Sequence, residues 1–266
     1  MASKQTTDTR TWPWTETKDL ISPTSYFDPP SLFAKTISTN PLINGGSRIL
    51  DIGCGSGIVG LYSLVFRNAR HVIFHDLQEE AIEETKSNVD RHIAVGTIQN
   101  NQVDYIDPCC SVEEIPKEKI YTRNLLLFNP PQLPGKHVSQ DYLDKLKING
   151  QMHTYRDGGE DGLDIARKFF VWYANLDITK RPKAVILLSS FLGRRLIDEV
   201  IRGKGFGYEL DYEILQPETE VPLRYQLKDA AENLAEHATE INDRSITKRD
   251  NQWYKKLLTI SLSHRK

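Results

Sequence analysis

The feature that most limits the possible folds is a glycine-rich stretch, ILDIGCGSGIVG, at residues 49–60. An apolar run ends on Asp51, glycines alternate at positions 53, 55 and 57, and a second apolar segment follows. Glycine adopts backbone conformations that other residues avoid, and it lets the main chain come close to a ligand. This order predicts a buried strand, a tight turn and a helix whose free N–H groups face a ligand.

Apolar strand-like runs and amphipathic helical runs alternate along the chain after residue 47. Near-continuous apolar strands between such helices predict a parallel sheet that is covered on both faces. The last two strand-like runs, YELDYEIL and KKLLTISLS, lack a crossover of this kind and predict an antiparallel pair. The expected fold class is therefore α/β, a Rossmann-like, doubly wound, seven-stranded and mostly parallel sheet with an antiparallel C-terminal edge pair.

Two segments fall outside this alternation. Residues 1–46 are polar, proline-rich and weakly periodic, and their aromatic residues suit an N-terminal extension that closes over the site as a lid. The polar stretch LKDAAENLAEHATEINDR predicts a helical insertion around residues 217–250 of the main domain, 47–266.

Composition excludes several classes of protein. The net charge is -2, so no general basic field invites nucleic acid, and the short basic stretch KRDNQWYKK (248–256) is interpreted as solvated surface. No apolar run approaches the ~20 residues that cross a bilayer, so no membrane association is expected. Three cysteines without metal-ligand spacing predict free thiols, a cytoplasmic location and no bound metal.

The glycine spacing alone does not identify the ligand. Gly55, Gly57 and Gly60 also satisfy the dinucleotide pattern G-x-G-x-x-G, and Asp76 follows the next predicted strand at about the spacing of a ribose-binding carboxylate. The spacing therefore predicts an adenosine-type cofactor. An NAD-dependent oxidoreductase remains a distant alternative, because it leaves the later stretch NPPQ unexplained.

The turn DIGCGSG resembles the first motif of class I S-adenosylmethionine-dependent methyltransferases. The resemblance implies S-adenosyl-L-methionine as the cofactor, with Asp51, Gly53, Gly55 and Gly57 as cofactor-binding residues. The three glycines would pass the methionine part of the cofactor.

The same resemblance assigns the adenosine part. Asp76 in FHDLQ would hold the ribose diol, and Leu77 would lie against the adenine. The stretch QVDYID stands where the family places a contact to the adenine edge. Asp104 is the better match there, with Asp107 as the alternative.

A second motif, FNPPQ at residues 128–132, resembles the (D/N)-P-P-aromatic motif of amino-methylating enzymes. The resemblance implies that the Asn129 side-chain oxygen and the Pro130 main-chain carbonyl accept hydrogen bonds from the acceptor amine, which makes both residues catalytic and substrate-binding. Asn129 would also border the cofactor. The prolines fix the turn, so the acceptors are in place before the substrate arrives.

A third stretch, YRDGGEDGLDIARKFF, is similar to the segment that follows NPPY in release-factor glutamine methyltransferases of the HemK type. The resemblance covers residues 47–215. The chain departs from that branch in two ways: only residues 1–46 precede the first motif, and Gln132 stands where the branch has an aromatic residue.

These departures favour an N-methyltransferase that acts on a nitrogen of a small molecule, such as an amino-acid-derived or natural-product amine. Gln132 would then bind the substrate and shape its pocket, and no nucleic-acid partner is expected. The alternative is a protein glutamine or nucleic-acid amino methyltransferase. A non-catalytic cofactor-binding protein ranks last, because it would not need an intact Asn-Pro-Pro.

Overall fold

The computed structural model describes residues 33–34, 42–132, 158–203, 205–222, 246–250 and 252–263. The strands are β1 (Arg48–Ile52), β2 (His71–His75), β3 (Val103–Tyr105), β4 (Leu125–Phe128), β5 (Lys183–Ser189), β6 (Asp211–Pro222), β7 (Ile246–Arg249) and β8 (Gln252–Ser263). The helices are α1 (Ile58–Arg67), α2 (Glu79–Ala94), α3 (Lys117–Tyr121), α4 (Asp164–Ala174) and α5 (Arg194–Ile201).

The strands form one mixed sheet in the order β3-β2-β1-β4-β5-β8-β6. The pairs from β3 to β5 are parallel, and β8 is antiparallel to both β5 and β6. This confirms the predicted fold class. The sheet also contains a strand that the sequence did not predict, because the short β7 pairs with β8 in an antiparallel hairpin.

Two hydrophobic clusters cover the two faces of the sheet, as the doubly wound pattern requires. On one face Leu50 and Ile186 pack with Phe169 of α4, and on the other Ile49 and Leu127 pack with residues of α1. The central strands are buried on both faces, which explains why their sequences are continuously apolar. Burial of each such side chain stabilises the fold by about 1.5–3 kcal/mol.

The structure moves two predicted element boundaries. The run RRLIDEVIRGKG (194–205) predicts a helix closed by glycine, and this helix ends at Ile201, with Gly203 in a left-handed conformation (φ of 67°) just beyond it. The strand predicted to end at Leu215 continues to Pro222, with a register shift between Leu215 and Thr219. A bulge of this kind lets a strand continue past residues that break regular pairing.

Most of the two predicted appendages lies outside the described residues. Of the predicted N-terminal extension, residues 33–34 and 42–46 are described, and Phe33, Ala34 and Ile43 are buried against the α1 face of the sheet. Strand occupies both ends of the predicted insertion, and its interior, residues 223–245, is not described. The lid and the helical insertion therefore stay predictions. Within the described ranges, no helix is long and apolar enough to span a bilayer.

Candidate active site

The candidate site lies where the chain changes direction in the sheet order. β1 and β4 are parallel neighbours, with Ile52 level with Phe128. After β1 the chain continues to β2 on one side, and after β4 it continues to β5 on the other. The segments that follow these two strands are the glycine turn and residues 129–132. Both segments lie at the carboxyl ends of neighbouring strands, the position at which open α/β sheets bind ligands in a crevice.

The three glycines of the turn all adopt left-handed conformations, with φ of 60° at Gly53, 55° at Gly55 and 78° at Gly57. A Cβ atom on Gly57 would lie 2.8 Å from Cγ2 of Thr85. A Cβ atom on Gly55 would meet no atom of the described residues within 4 Å. Gly57 is therefore needed for packing on α2, whereas Gly55 presents its backbone to open space that a ligand can occupy.

Asp76, directly after β2, holds the glycine turn through its carboxylate. Oδ2 accepts a hydrogen bond from the Gly55 N–H at 2.9 Å, and Oδ1 accepts one from the Gln78 N–H at 3.1 Å. Each carboxylate oxygen can accept a second hydrogen bond. The neighbouring Leu77 is 66% exposed, which is unusual for a leucine. The pair therefore offers acceptors for hydroxyl groups beside an uncovered apolar side chain.

Asp51, predicted to bind the cofactor, makes a hydrogen bond to the first turn of helix α1. It is buried, and its Oδ2 accepts a hydrogen bond from the Gly60 N–H at 2.8 Å. Gly57, the residue before the helix, has no side chain that could cap the free N–H groups of the first turn. Asp51 of the adjacent strand therefore accepts the hydrogen bond from the Gly60 N–H. Burial raises the pKa of the Asp51 carboxyl, and the hydrogen bond from Gly60 opposes part of this increase. The resulting pKa is about 7.

Two residues of α2 that the sequence analysis missed fix the outer side of the turn. The Thr85 hydroxyl donates to the Gly55 carbonyl at 2.7 Å, and the Asn88 side-chain amide donates to the Ser56 carbonyl at 2.9 Å. Both are fully or almost fully buried. Polar residues three apart on the buried face of an amphipathic helix were the available signal, since buried polar groups need partners.

The structure does not bring Asp104 together with the rest of the site. In the parallel pairing of β2 with β3, Asp104 is level with Ile73, well before the end of β2. Its carboxylate pairs with the Lys119 ammonium. Partial burial acts against ionisation, but the hydrogen bonds from Lys119 and the Tyr105 N–H lower the pKa of Asp104. Continuing the register places Asp107, rather than Asp104, level with Asp76.

Asn129 and Pro130 lie at the carboxyl end of β4, as predicted. Asn129 is half-buried, and no hydrogen bond of its side chain occurs within the described part of the chain. Its amide is therefore available to a ligand in the crevice. Pro130 is buried, and its carbonyl accepts a hydrogen bond from Nε2 of Gln132 at 3.1 Å.

Gln132 differs from its predicted role in a substrate pocket. Nε2 also donates to the Leu187 carbonyl at 2.8 Å, and Oε1 accepts from the Ser189 N–H at 2.6 Å. Both partners belong to β5. Because an amide NH2 group has two hydrogens and both are used, Gln132 has no donor left for a substrate.

The turn before α4 is as compact as its glycines predict. Gly159 and Gly162 have φ of 85° and 83°, and a Cβ atom on Gly158 would lie 2.5 Å from the Gly162 carbonyl oxygen. Asp161 accepts a hydrogen bond from the Leu163 N–H and pairs with Arg167. This carboxylate therefore holds the start of the helix.

Comparison with known proteins gives a family and several relatives. The family described as "Methyltransferase small domain" matches residues 27–167, a little more than half of the chain. The Ribosomal RNA large subunit methyltransferase G of Colwellia psychrerythraea is 31% identical over 129 residues, 47% of this chain and 30% of that protein. The Ribosomal protein L11 methyltransferase of Idiomarina loihiensis is 43% identical over 47 residues, 18% of this chain and 16% of that protein.

The chain thus spans less than a third of the length of these two curated relatives. Among solved structures, the YcgJ protein from Bacillus subtilis is similar over 90% of this chain and 98% of that chain, with 15% identity and a TM-score of 0.47.

These relatives correct the prediction about partners. The curated matches carry the names of ribosomal protein L11 and large-subunit ribosomal RNA. The expectation of a small-molecule substrate without a nucleic-acid partner is therefore wrong. The resemblance to the release-factor branch stays a prediction, because these relatives belong to other methyltransferases.

Proposed function

The chain belongs to the methyltransferase small domain family, and on that premise we propose that it methylates an amino nitrogen of an RNA base. Membership in this family makes it an S-adenosylmethionine-dependent methyltransferase. The RNA acceptor is supported by the curated match that covers 47% of the chain, which is a ribosomal RNA methyltransferase. The described cysteines are free, which fits the cytoplasmic location that we propose with it.

The residues of the crevice fit this cofactor. Gly55 lets a ligand approach the main chain, Asp76 has acceptor capacity left for ribose hydroxyls, and the exposed Leu77 can cover one face of an adenine. The bound cofactor supplies an electrophilic methyl group on its sulfonium. The chain's own contribution is to bind it, to exclude water and to orient the acceptor.

The proposed chemistry rests on one observation, the position of Asn129. It follows β4 in the crevice, next to the glycine turn, and its side-chain amide is free within the described part of the chain. An amide oxygen accepts an N–H of the acceptor amine and so directs the nitrogen lone pair. Pro130 and Pro131 restrict the turn, so this acceptor is already in place.

The β7–β8 hairpin supports RNA as the acceptor. In the antiparallel pairing, Leu257 is level with Ser189, the last residue of β5, so residues 252–256 of β8 extend beyond the carboxyl end of β5. The Lys256 N–H donates to the Ser190 hydroxyl at 2.9 Å. This hydrogen bond attaches the extension to the residue that follows β5, at the end of the sheet where the site lies. The hairpin therefore lies at the same end of the sheet as the crevice.

The charge of this hairpin suits a phosphate backbone. Residues 246–256 include four cations and one acid, Asp250. Lys248, Arg249 and Lys256 are exposed. Arg249 also lies over the Tyr254 ring, 4.8 Å from its centroid, and pairs with Glu220. Cations beside aromatic rings are the combination that binds phosphates and unstacked bases. The basic stretch that the sequence analysis treated as solvated surface therefore has a proposed function.

The test is a transfer assay with S-adenosylmethionine labelled in its methyl group. Large ribosomal subunits are prepared from cells that lack the gene for this chain, so that the target position is unmodified. Intact subunits, their extracted RNA and their extracted proteins serve as separate acceptors. We expect label in RNA, and Asn129→Ala should lower the rate about 100-fold, as loss of positioning does.

Asn175→Ala is the matched control, because Asn175 is an exposed asparagine at the end of α4, away from the crevice. It should transfer label at the normal rate. Label in the protein fraction would replace RNA by a ribosomal protein as the substrate. A normal rate for Asn129→Ala would remove the proposed role of that residue.

A further inference from the structure

The stretch NPPQ ends β4 at a point where the sheet itself continues. The last paired residues are Phe128 and Ile186, whereas β5 runs on to Ser189. Residues 130 and 131 are prolines and have no N–H to donate. Backbone pairing with β5 is therefore interrupted at the residues that form the proposed acceptor site.

The Gln132 side chain makes the two hydrogen bonds to β5 that a paired backbone would make, including the N–H donation that proline lacks. In a parallel ladder, a residue opposite Leu188 would donate its N–H to the Leu187 carbonyl and accept from the Ser189 N–H. Continuing the register from Phe128 places Pro130 opposite Leu188. The Gln132 amide donates to Leu187 and accepts from Ser189, so it occupies both hydrogen-bonding positions of the missing backbone.

The second N–H of the same amide binds the turn itself, through the Pro130 carbonyl. One side chain thus ties the Asn-Pro-Pro turn to β5 from within the turn. Asn129 lies between Phe128, the last paired residue of β4, and Gln132, which is bound to β5. The Asn129 side chain has no hydrogen bond in the described part of the chain. The position of Asn129 therefore depends on how its main chain is held on both sides.

We propose that Gln132 is a positioning residue, whose amide replaces the missing strand pairing and fixes Asn129 for methyl transfer. This inference rests on the proposed function, in which Asn129 orients the acceptor nitrogen. It also gives a physical reason for a glutamine at the fourth position of the motif. A phenylalanine has no polar atom and a tyrosine has a single hydroxyl oxygen, so neither offers the separate N–H and C=O groups that meet Leu187 and Ser189 here.

The first test compares Gln132→Ala with Gln102→Ala. Gln102 also accepts a backbone N–H with its side chain, at 2.7 Å, but it lies at the opposite edge of the sheet, before β3. In Gln132→Ala, hydrogen exchange of the Ser189 amide should become at least about tenfold faster, while that of Val185 inside β5 stays unchanged. With the ribosomal RNA acceptor, kcat should fall by about tenfold or more and the affinity for S-adenosylhomocysteine should stay within about twofold. Gln102→Ala should change neither quantity.

The second test uses Gln132→Glu over a range of pH. A protonated carboxyl can donate to the Leu187 carbonyl and accept from the Ser189 N–H, whereas a carboxylate has no donor and faces two carbonyl oxygens. The kcat of this variant, relative to the unsubstituted protein at each pH, should therefore decrease as the carboxyl ionises. A role in stability alone would not give this dependence on pH.

The outcomes separate this inference from the proposed function. If Gln132→Ala speeds exchange at Ser189 but keeps normal kcat, Gln132 is only structural and the inference fails. Unchanged exchange and unchanged kcat would also overturn it. If Asn129→Ala is inactive while Gln132→Ala is normal, the proposed function stands and only the inference is lost. If Asn129→Ala is fully active, the proposed function itself fails.

Discussion

The carboxylate of Asp76 accepts a hydrogen bond from the main-chain N–H of Gly55 at 2.9 Å, so the acid after β2 holds the turn after β1. The same oxygen and its neighbour keep lone pairs for a ligand. The residue that would bind the ribose therefore also sets the shape of the backbone that the cofactor passes.

Asp76→Asn should weaken binding of S-adenosylhomocysteine by about 10- to 100-fold, because it removes the charge and one of two acceptor oxygens. Isothermal titration calorimetry measures this directly. The control is Asp90→Asn, an exposed acid on α2 that should leave affinity unchanged. Equal affinities of both variants would show that Asp76 serves the fold and not the cofactor.

Alanine at Gly55 and at Gly57 should have different consequences. Both positions have positive φ, which costs an alanine about 1–2 kcal/mol. Gly57→Ala should lose more stability in denaturant unfolding, because its Cβ atom would lie 2.8 Å from Thr85. Gly55→Ala should lose mainly cofactor affinity, because its Cβ atom would enter the space left for the ligand.

Gly96→Ala controls for strain alone, since Gly96 has φ of 73° after α2 and a Cβ atom there would meet no described atom within 4 Å. It should lose about as much stability as Gly55→Ala and keep full affinity for S-adenosylhomocysteine. Normal affinity in Gly55→Ala would place the cofactor elsewhere.

Asp51 should make the protein less stable as the pH rises towards 7. In the unfolded chain its carboxyl ionises near the ordinary value of 3.8, whereas in the folded protein it keeps its proton up to about pH 7. Folding therefore takes up a proton between these values, and the free energy of unfolding falls with rising pH by at most about 1.4 kcal/mol per unit. Asp51→Asn keeps an oxygen for the Gly60 N–H but removes the titration. Between pH 5 and pH 8, the free energy of unfolding measured in urea should fall less for the variant than for the unsubstituted protein. The same change in both proteins would contradict this prediction.

Asp107, and not Asp104, should contribute to cofactor binding. Asp104 is paired with Lys119 and lies before the end of its strand, so Asp104→Asn should leave the affinity for S-adenosylhomocysteine unchanged. Asp107→Asn should weaken it, because the parallel register places Asp107 level with Asp76. A loss of affinity only in Asp104→Asn would restore the prediction made from the sequence.

Cations of the β7–β8 hairpin should control RNA affinity and its dependence on salt. Lys248→Ala and Lys256→Ala should each lower the affinity for large-subunit ribosomal RNA and reduce the slope of log K against log salt by about 1. Cofactor affinity should not change. The control is Lys183→Ala, an exposed lysine at the amino end of β5, away from the hairpin at its carboxyl end. Identical salt slopes for all three variants would show that the hairpin does not contact RNA.

Long periodic segments were predictable from the sequence, and so were the glycine turn and the placement of Asp76 and Asn129. The shorter elements were missed, because β3 has three residues and β7 four, too few to show a period. The roles of Asp51 and Gln132 could not be predicted for another reason. Their partners are backbone groups, and the partners of Gln132 in β5 are 55 and 57 residues away, so no local pattern encodes them.

One of the two departures on which the substrate prediction rested was misinterpreted. Gln132 replaces an aromatic residue, and a change in the acceptor seemed the direct explanation. In the structure the side chain of this glutamine makes hydrogen bonds that a strand backbone would otherwise make. The presence of a glutamine is therefore explained by how the turn is held, and it says little about the molecule that is methylated.

The sheet order has a consequence for how the chain matures during synthesis. Strands β1 to β5 find their partners among themselves and β8, whereas β6 is joined to the sheet only through β8, which is made later. Until β8 is released, the edge of β5 stays open and β6 has no partner in the sheet. That interval is when the nascent protein is most exposed to wrong strand pairing.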